Sequence, residues 1–391
     1  MGKHKSRLFL SLIVVFVLFT AMSCKREIVV AYHSNMTGKG SELSHAGKAG
    51  FMLAVSEQNN SNKPVKIKPI ILDDQNSTET AIENIKRVNK SNNKNLQFII
   101  GHSLSEMTKS TLDYINKNKI LMISPTSSSD YFENRDDYFI KCYPSTVELA
   151  KTTIDYAILK EKVNRFVFIG DNKNQEYVDS FYRGVRESVD INLQSTGKNG
   201  SVKIEFNPDM IKSIRFRDSD PYNLEKIISG LVESDDGLRG IILATNPTDS
   251  ILMASFIKKY RLMSRVILTA WATTGDLLVS SGELVEGAIC ALPFKFNCTY
   301  DKYSKFTKQH LLEYGRVPSF AAVFTNEAAN ILFEAFNNGH RTPDAVKNYI
   351  IDKGVFNGLQ SESIVFNKYG DAARQFYIYR IIDSNFVQID D

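Results

Sequence analysis

Hydroxyl side chains gather at two points of this chain where chemistry could be done: His102-Ser103-Leu104-Ser105 and Ser124-Pro125-Thr126-Ser127-Ser128-Ser129. Each cluster follows a short apolar run and precedes a stretch of helical or turn character. Loops of this kind can aim backbone N–H groups and hydroxyls at a carboxylate or another anion, helped by the amino end of the following helix. Capping and turn formation explain any single serine-rich loop just as well. Two of them at neighbouring strand ends bring a binding site level with that plainer reading.

Other chemistries lack their parts. Ser105 has His102 three positions before it, but neighbours in a tight loop rarely adopt triad geometry, and no third member stands out. Gly38-Lys39-Gly40 has neither the Walker spacing nor the dinucleotide glycine pattern, and reads as a turn. The six histidines are scattered and no Cys or His pair has zinc-finger spacing, so no metal and no cofactor are expected. A binding protein fits better than an enzyme.

Alternating strands and helices must position these loops. Strand-like runs at 27–34, 65–73, 97–101 and 119–123 alternate with helical stretches at 47–59, 78–90 and 105–117. The pattern then restarts, with helices at 146–160, 174–189, 222–234 and 248–261 and strands at 165–170, 202–206, 239–244 and 265–270. Such alternation predicts an α/β fold of parallel sheets covered by helices, and its repetition predicts two similar lobes. In open parallel sheets the ligand lies beyond the carboxyl ends of the strands. Here those ends are 35–40, 73–76, 102–105 and 124–129.

At the amino terminus Lys3, Lys5 and Arg7 precede an apolar run from Leu8 to Phe19 and then Ala21-Met22-Ser23-Cys24. That is the plan of an export signal over residues 1–23, and the run falls short of the roughly 20 residues that span a bilayer. Cys24 after a small residue resembles a bacterial lipobox, in which the thiol is acylated and anchors the exported protein to the membrane. Loss of the three basic residues leaves 45 Lys plus Arg of the original 48 against 44 Asp plus Glu. A balance so close to neutral gives no reason to expect nucleic acid. Of the remaining cysteines, Cys290 and Cys298 are better placed to pair across a short excursion, leaving Cys142 over.

Longer segments carry a family resemblance. IIGHSLSEMT (99–108) and ILMISPTSSSDYF (120–132) look like the first-lobe ligand loops of the periplasmic leucine/isoleucine/valine-binding protein family. SNMTG (34–38), ILDDQNSTETA (71–81), FIKCYPSTVELAK (139–151), FVFIGDNKNQEYVDSFYRG (166–184) and FNGLQSESIVFNKYGDA (356–372) resemble further pieces in the same order. The resemblance implies two Rossmann-like lobes joined by three crossovers, the type I periplasmic binding fold. Lobe I would be 27–145 plus 294–354, and lobe II 146–293 plus 355–391. It also implies that Ser105 and Ser128 hold a ligand carboxylate, that the Thr126 carbonyl takes a ligand ammonium, and that Leu43 touches the ligand body.

The second lobe departs from that pattern. Trp271 stands where amino-acid binders of the family carry the acid that pairs with the ammonium, with Asp276 as a substitute five residues on. Asn246 replaces a common tyrosine, and Tyr177 matches a further pocket tyrosine only across a longer loop. A ligand without an amino group is therefore as well suited as an amino acid. The function implied is that of a monomeric, lipid-anchored solute-binding protein delivering a small carboxylate to ABC permease and ATPase subunits. A receptor subunit that signals to a membrane partner is the alternative, since both use the same hinge closure.

Overall fold

A computed structural model describes residues 26–38, 40–91, 96–195, 211–217, 220–232, 239–273, 277–360 and 363–389. Cys24, Asp276 and the expected strand at 202–206 lie outside the described residues.

The first sheet holds β1 (Arg26–Ser34), β2 (Val65–Asp73), β3 (Phe98–Gly101), β4 (Leu121–Ser124) and β5 (Phe139–Lys141), all parallel, in the order β2-β1-β3-β4-β5. β3 and β4 are buried at every position, which is why FIIG and LMIS read as unbroken apolar runs rather than alternating ones. Chain order reverses between β1 and β3, so the loops after these two strands flank a crevice. Helix α1 (Glu42–Asn60) follows β1, α2 (Thr78–Ser91) follows β2 and α3 (Ser105–Lys117) follows β3.

After α4 (Thr146–Leu159) the chain enters a second sheet. Its strands are β6 (Phe166–Asp171), β7 (Ile211–Phe216), β8 (Arg239–Ala244), β9 (Ser264–Leu268) and β10 (Ile289–Leu292), with β14 (Tyr377–Ile382) and β15 (Asn385–Gln388) at one edge. The intervening helices are α5 (Gln175–Ser195), α6 (Pro221–Ser229), α7 (Pro247–Lys259) and the short α8 (Leu277–Ser281). This sheet is mixed, because β14 runs antiparallel to both β10 and β15. The expectation of parallel sheets holds throughout the first sheet and for β6 to β10 of the second.

The chain then returns through α9 (Asp301–Tyr314) to α10 (Phe320–Asn337), which packs on α1 over the first sheet. A Cβ on Gly50 would sit 1.9 Å from the Ala322 carbonyl oxygen, so this helix pair requires glycine there. Helix α11 (Pro343–Lys353) leads into a small antiparallel sheet of β11 (Val355–Asn357), β12 (Ser363–Phe366) and β13 (Ala372–Ala373).

That small sheet corrects one boundary. Residues 355 onward were expected in lobe II, but Phe356, Ile364, Phe366 and Ala372 pack into the apolar cluster of the first sheet. Asp371 also forms a parallel bridge to Lys141 of β5. The third crossing therefore falls between Ala373 and Tyr377, where Arg374 stands. The cysteine pairing is corrected as well: Cys142, Cys290 and Cys298 are free thiols. Cys290 is enclosed in the second core from the middle of β10, whereas the Cys298 sulfur contacts the Gln360 carbonyl.

Candidate functional site

The carboxyl ends of the first sheet are tied together by short hydroxyl hydrogen bonds. Ser34 Oγ donates to Ser103 Oγ at 2.6 Å, and Ser44 Oγ donates to Asn35 Oδ1 at 2.5 Å, joining the β1 loop, α1 and the β3 loop. Ser124 and Ser127 both donate their hydroxyls to the His102 carbonyl, at 2.8 and 3.0 Å, which fixes the β4 loop against the β3 loop. Several serines of these clusters are therefore structural, as the plainer reading of such loops holds.

Ser105 and Ser128 are different. Ser105 Oγ accepts from the Ser128 backbone N–H at 3.3 Å, and Ser128 Oγ accepts from Thr146 Oγ1 at 2.6 Å. Both hydroxyls are engaged as acceptors, which leaves their protons to donate elsewhere. Thr126 donates its own hydroxyl to the Ser103 carbonyl at 2.9 Å. All three residues line one cavity of about 20 Å³, enclosed between the two lobes.

The opposite wall comes from the second lobe through Asn174, Tyr177, Ala270 and Trp271, and Leu43, Tyr143 and Phe320 complete the chamber. Tyr177 meets the Trp271 ring edge-on, centroids 6.0 Å apart. The buried atoms Tyr143 Oη and Trp271 Nε1 have no hydrogen-bond partner among the described residues, and Tyr177 Oη lies beside the Thr269 hydroxyl and the Ala270 and Trp271 backbone. Burial pushes the Tyr177 hydroxyl up to about 12 and that of Tyr143 well above its usual value, so both keep their protons. The cavity thus collects donors that lack acceptors, and no acidic side chain lines it among the described residues. An unsatisfied buried donor costs about 1–3 kcal/mol, which an acceptor-rich guest would recover.

Six of the seven residues singled out in the sequence line this chamber: Leu43, Ser105, Thr126, Ser128, Tyr177 and Trp271. Asn246 does not. It caps α7, accepting from the Asp249 N–H at 3.0 Å and donating to Asp249 Oδ2 at 2.7 Å, which uses its amide. Sequence reasoning missed Tyr143, Asn174 and Phe320. Phe320 lies far along the chain, at the start of a helix that reads as ordinary core.

Ser105 and His102 do not form a nucleophile–base pair. His102 turns Nδ1 to Asp74 Oδ2 at 2.8 Å and its Nε2 has no partner among the described residues. The scattered histidines do partly converge: His33, Asp74 and His102 lie together, fully buried behind the ligand loops. Burial and the neighbouring His102 hold His33 well below the ordinary imidazole value.

Polar contacts bridge the lobes around the cavity. The Glu106 N–H donates to Asn174 Oδ1, and the Glu176 N–H donates to Glu106 Oε2, both at 3.2 Å. Lys109 pairs with Glu176 and Arg183 with Asp130. Partly exposed ion pairs contribute about 0–1 kcal/mol each, so these bridges add little to the contact between the lobes.

Residues 27–202 match the model of the family described as periplasmic binding protein. A leucine-binding protein from Thermotoga maritima superposes with a TM-score of 0.79, at 16% identity over 93% of this chain and 98% of that one. A branched-chain amino acid transporter substrate-binding protein from Streptococcus pneumoniae in complex with isoleucine gives a TM-score of 0.78, at 14% identity over 93% of this chain and 100% of the other. The fold is that of the type I periplasmic binding proteins. An ABC-transporter solute-binding protein from R. palustris in complex with benzoate shares this type I fold, with a TM-score of 0.78 at 14% identity, covering 93% of this chain and 95% of that one. No curated protein matches the chain in sequence.

Proposed function

We propose that this protein is the extracytoplasmic solute-binding component of an ABC-type importer, a clamp that captures a small organic carboxylate and performs no chemistry on it. The observation that supports this most is the interlobe chamber, whose wall brings together the hydroxyls of Ser105, Ser128, Tyr143 and Tyr177 and the indole of Trp271, with no acidic side chain among its described residues. Neutral donors suit an anion that must be held and then released. Hydrogen bonds to a charged group contribute about 1.5–3 kcal/mol each, enough for selective capture without a countercharge.

The donor excess also bears on the ligand. Trp271, whose buried N–H has no partner among the described residues, lines the chamber where an amino-acid binder would need an acceptor. We read the ligand as a carboxylic acid whose body packs on Leu43, Phe320 and the Trp271 ring, with an α-amino group not required. The solved relatives are divided in the same way, one carrying isoleucine and another benzoate.

Cys24 anchors the mature protein to the cell membrane by its acylated sulfur, and the clamp works as a monomer beside a permease and its ATPase. Thermal-shift measurements against amino acids, aromatic acids and their amides test the reading, because a ligand that binds only the folded form raises apparent stability. Acids should raise the melting temperature and the matched amides should not. Stabilisation by amides to the same extent would remove the anion-binding role. For the anchor, Cys24→Ser should move the protein from the membrane to the soluble fraction, and undiminished membrane retention would refute it.

A further inference from the structure

A second cavity of about 260 Å³ adjoins the first and is far larger. The two are lined by neighbouring residues of the same three segments: Glu42 beside Leu43, Thr273 close to Trp271, and Ser319 beside Phe320, which lines both. The smaller chamber has room for little more than a water molecule in this closed form. Most of the larger chamber's wall is apolar, with Ala46, Leu278 and Phe296 inside and the exposed Val279 and Val317 at its rim.

Three buried atoms on residues of that wall have no hydrogen-bond partner among the described residues: Glu42 Oε2, Ser319 Oγ and His310 Nε2. Their polarity can be assigned. His310 Nδ1 lies 2.8 Å from the Arg316 carbonyl, so Nδ1 carries the proton and Nε2 presents a lone pair. Burial also holds the imidazole below its usual value, which keeps it neutral. Glu42 offers a carboxylate oxygen, and Ser319 can accept or donate. The second chamber therefore offers acceptors that the first lacks, with the exposed Arg316 as the one cation on its described wall.

We propose that the two cavities are one elongated ligand site: the first takes a carboxylate, and the second takes an apolar body ending in a donor group, an amine above all, received by Glu42 and His310. This rests on the carboxylate reading of the first chamber and adds to it a length and a far end. It also gives a ligand amino group an acidic partner other than the one Trp271 replaces. Phe320 is then the specificity-determining residue at the join.

Calorimetry of the purified protein with butanoate, hexanoate, octanoate and decanoate, and with the ω-amino acid of each length, tests the proposal. Affinity should rise about fourfold per added methylene once the tail passes Phe320. One ω-amino acid of matching length should exceed its plain counterpart at least tenfold. Glu42→Gln should abolish that amino advantage. Ala46→Phe, which fills the second chamber, should cost the long acids at least tenfold and spare butanoate. Short acids whose binding depends on Ser105, with no gain from length or from the amino group, would overturn the second chamber and leave the first standing. Failure of every acid to bind, long or short, would overturn both.

Discussion

Replacing Ser105 or Ser128 by alanine should weaken a bound carboxylate by about 1.5–3 kcal/mol, tenfold to more than a hundredfold in dissociation constant. The expectation follows from how the two hydroxyls are used: each accepts from a neighbour within the protein, which leaves its proton free to donate to a ligand. An uncharged analogue should lose much less, because a neutral acceptor gains roughly half as much from each bond. Trp271 supplies the contrasting arm. Trp271→Glu puts a negative charge into a chamber whose other donors await an anion, so it should reduce the affinity for an acid without an amino group. For an α-amino acid the same change should help, since the new carboxylate can pair with the ammonium. Calorimetry on the three variants separates the outcomes: full affinity in Ser105→Ala and Ser128→Ala would put the site in other loops, and indifference to Trp271→Glu would remove the tryptophan from it.

The largest effect on stability should come from Arg374, at the third crossing. Its guanidinium pairs with Glu327 at 2.7 Å, both side chains being almost wholly buried at 2% and 4% exposure. The same group donates to the Cys142 carbonyl at 3.0 Å and lies over the Phe324 ring. Glu327 in turn accepts from the Leu359 N–H. One ion pair thus fastens the first crossing, the third crossing and the helix between them. Arg374→Ala leaves the Glu327 carboxylate buried without its partner, which costs about 3–5 kcal/mol. Removing both charges, in Arg374→Met with Glu327→Leu, should recover much of that loss, because a buried pair often stabilises little more than apolar groups of equal volume. Urea denaturation measures both. A single variant as stable as the parent would show that the pair is solvated and carries no structural weight.

Strand ends were legible in the sequence where strands are wholly buried. FIIG and the Leu-Met-Ile of β4 have no polar position to blur them, so the loops that carry Ser105, Thr126 and Ser128 fell at the mouth of the sheet from pattern alone. β7 escaped because it is an edge strand with a single buried side chain, and Ile-Lys-Ser-Ile-Arg-Phe gives no clean alternation. The allegiance of β11 to β13 was hidden for another reason. Their alternation is plain in Ser363–Phe366, but periodicity states which side chains are buried, not against which lobe. Tyr143 and Phe320 reach the chamber from segments far apart in sequence, and only packing brings them together. The misjudged cysteines belong with these, since spacing along the chain says nothing about where a strand residue points.

Solution scattering with and without a tightly bound acid tests the central claim most directly. Leu104, Met107 and Phe324 of the first lobe share one apolar cluster with the second sheet, but the polar bridges around the chamber are individually weak, so without a guest the two walls of the chamber should part and the protein should be measurably larger. Addition of the acid should lower the radius of gyration, and Ser105→Ala should require correspondingly more acid for the same compaction. An identical radius of gyration in the free and saturated protein would contradict the clamp.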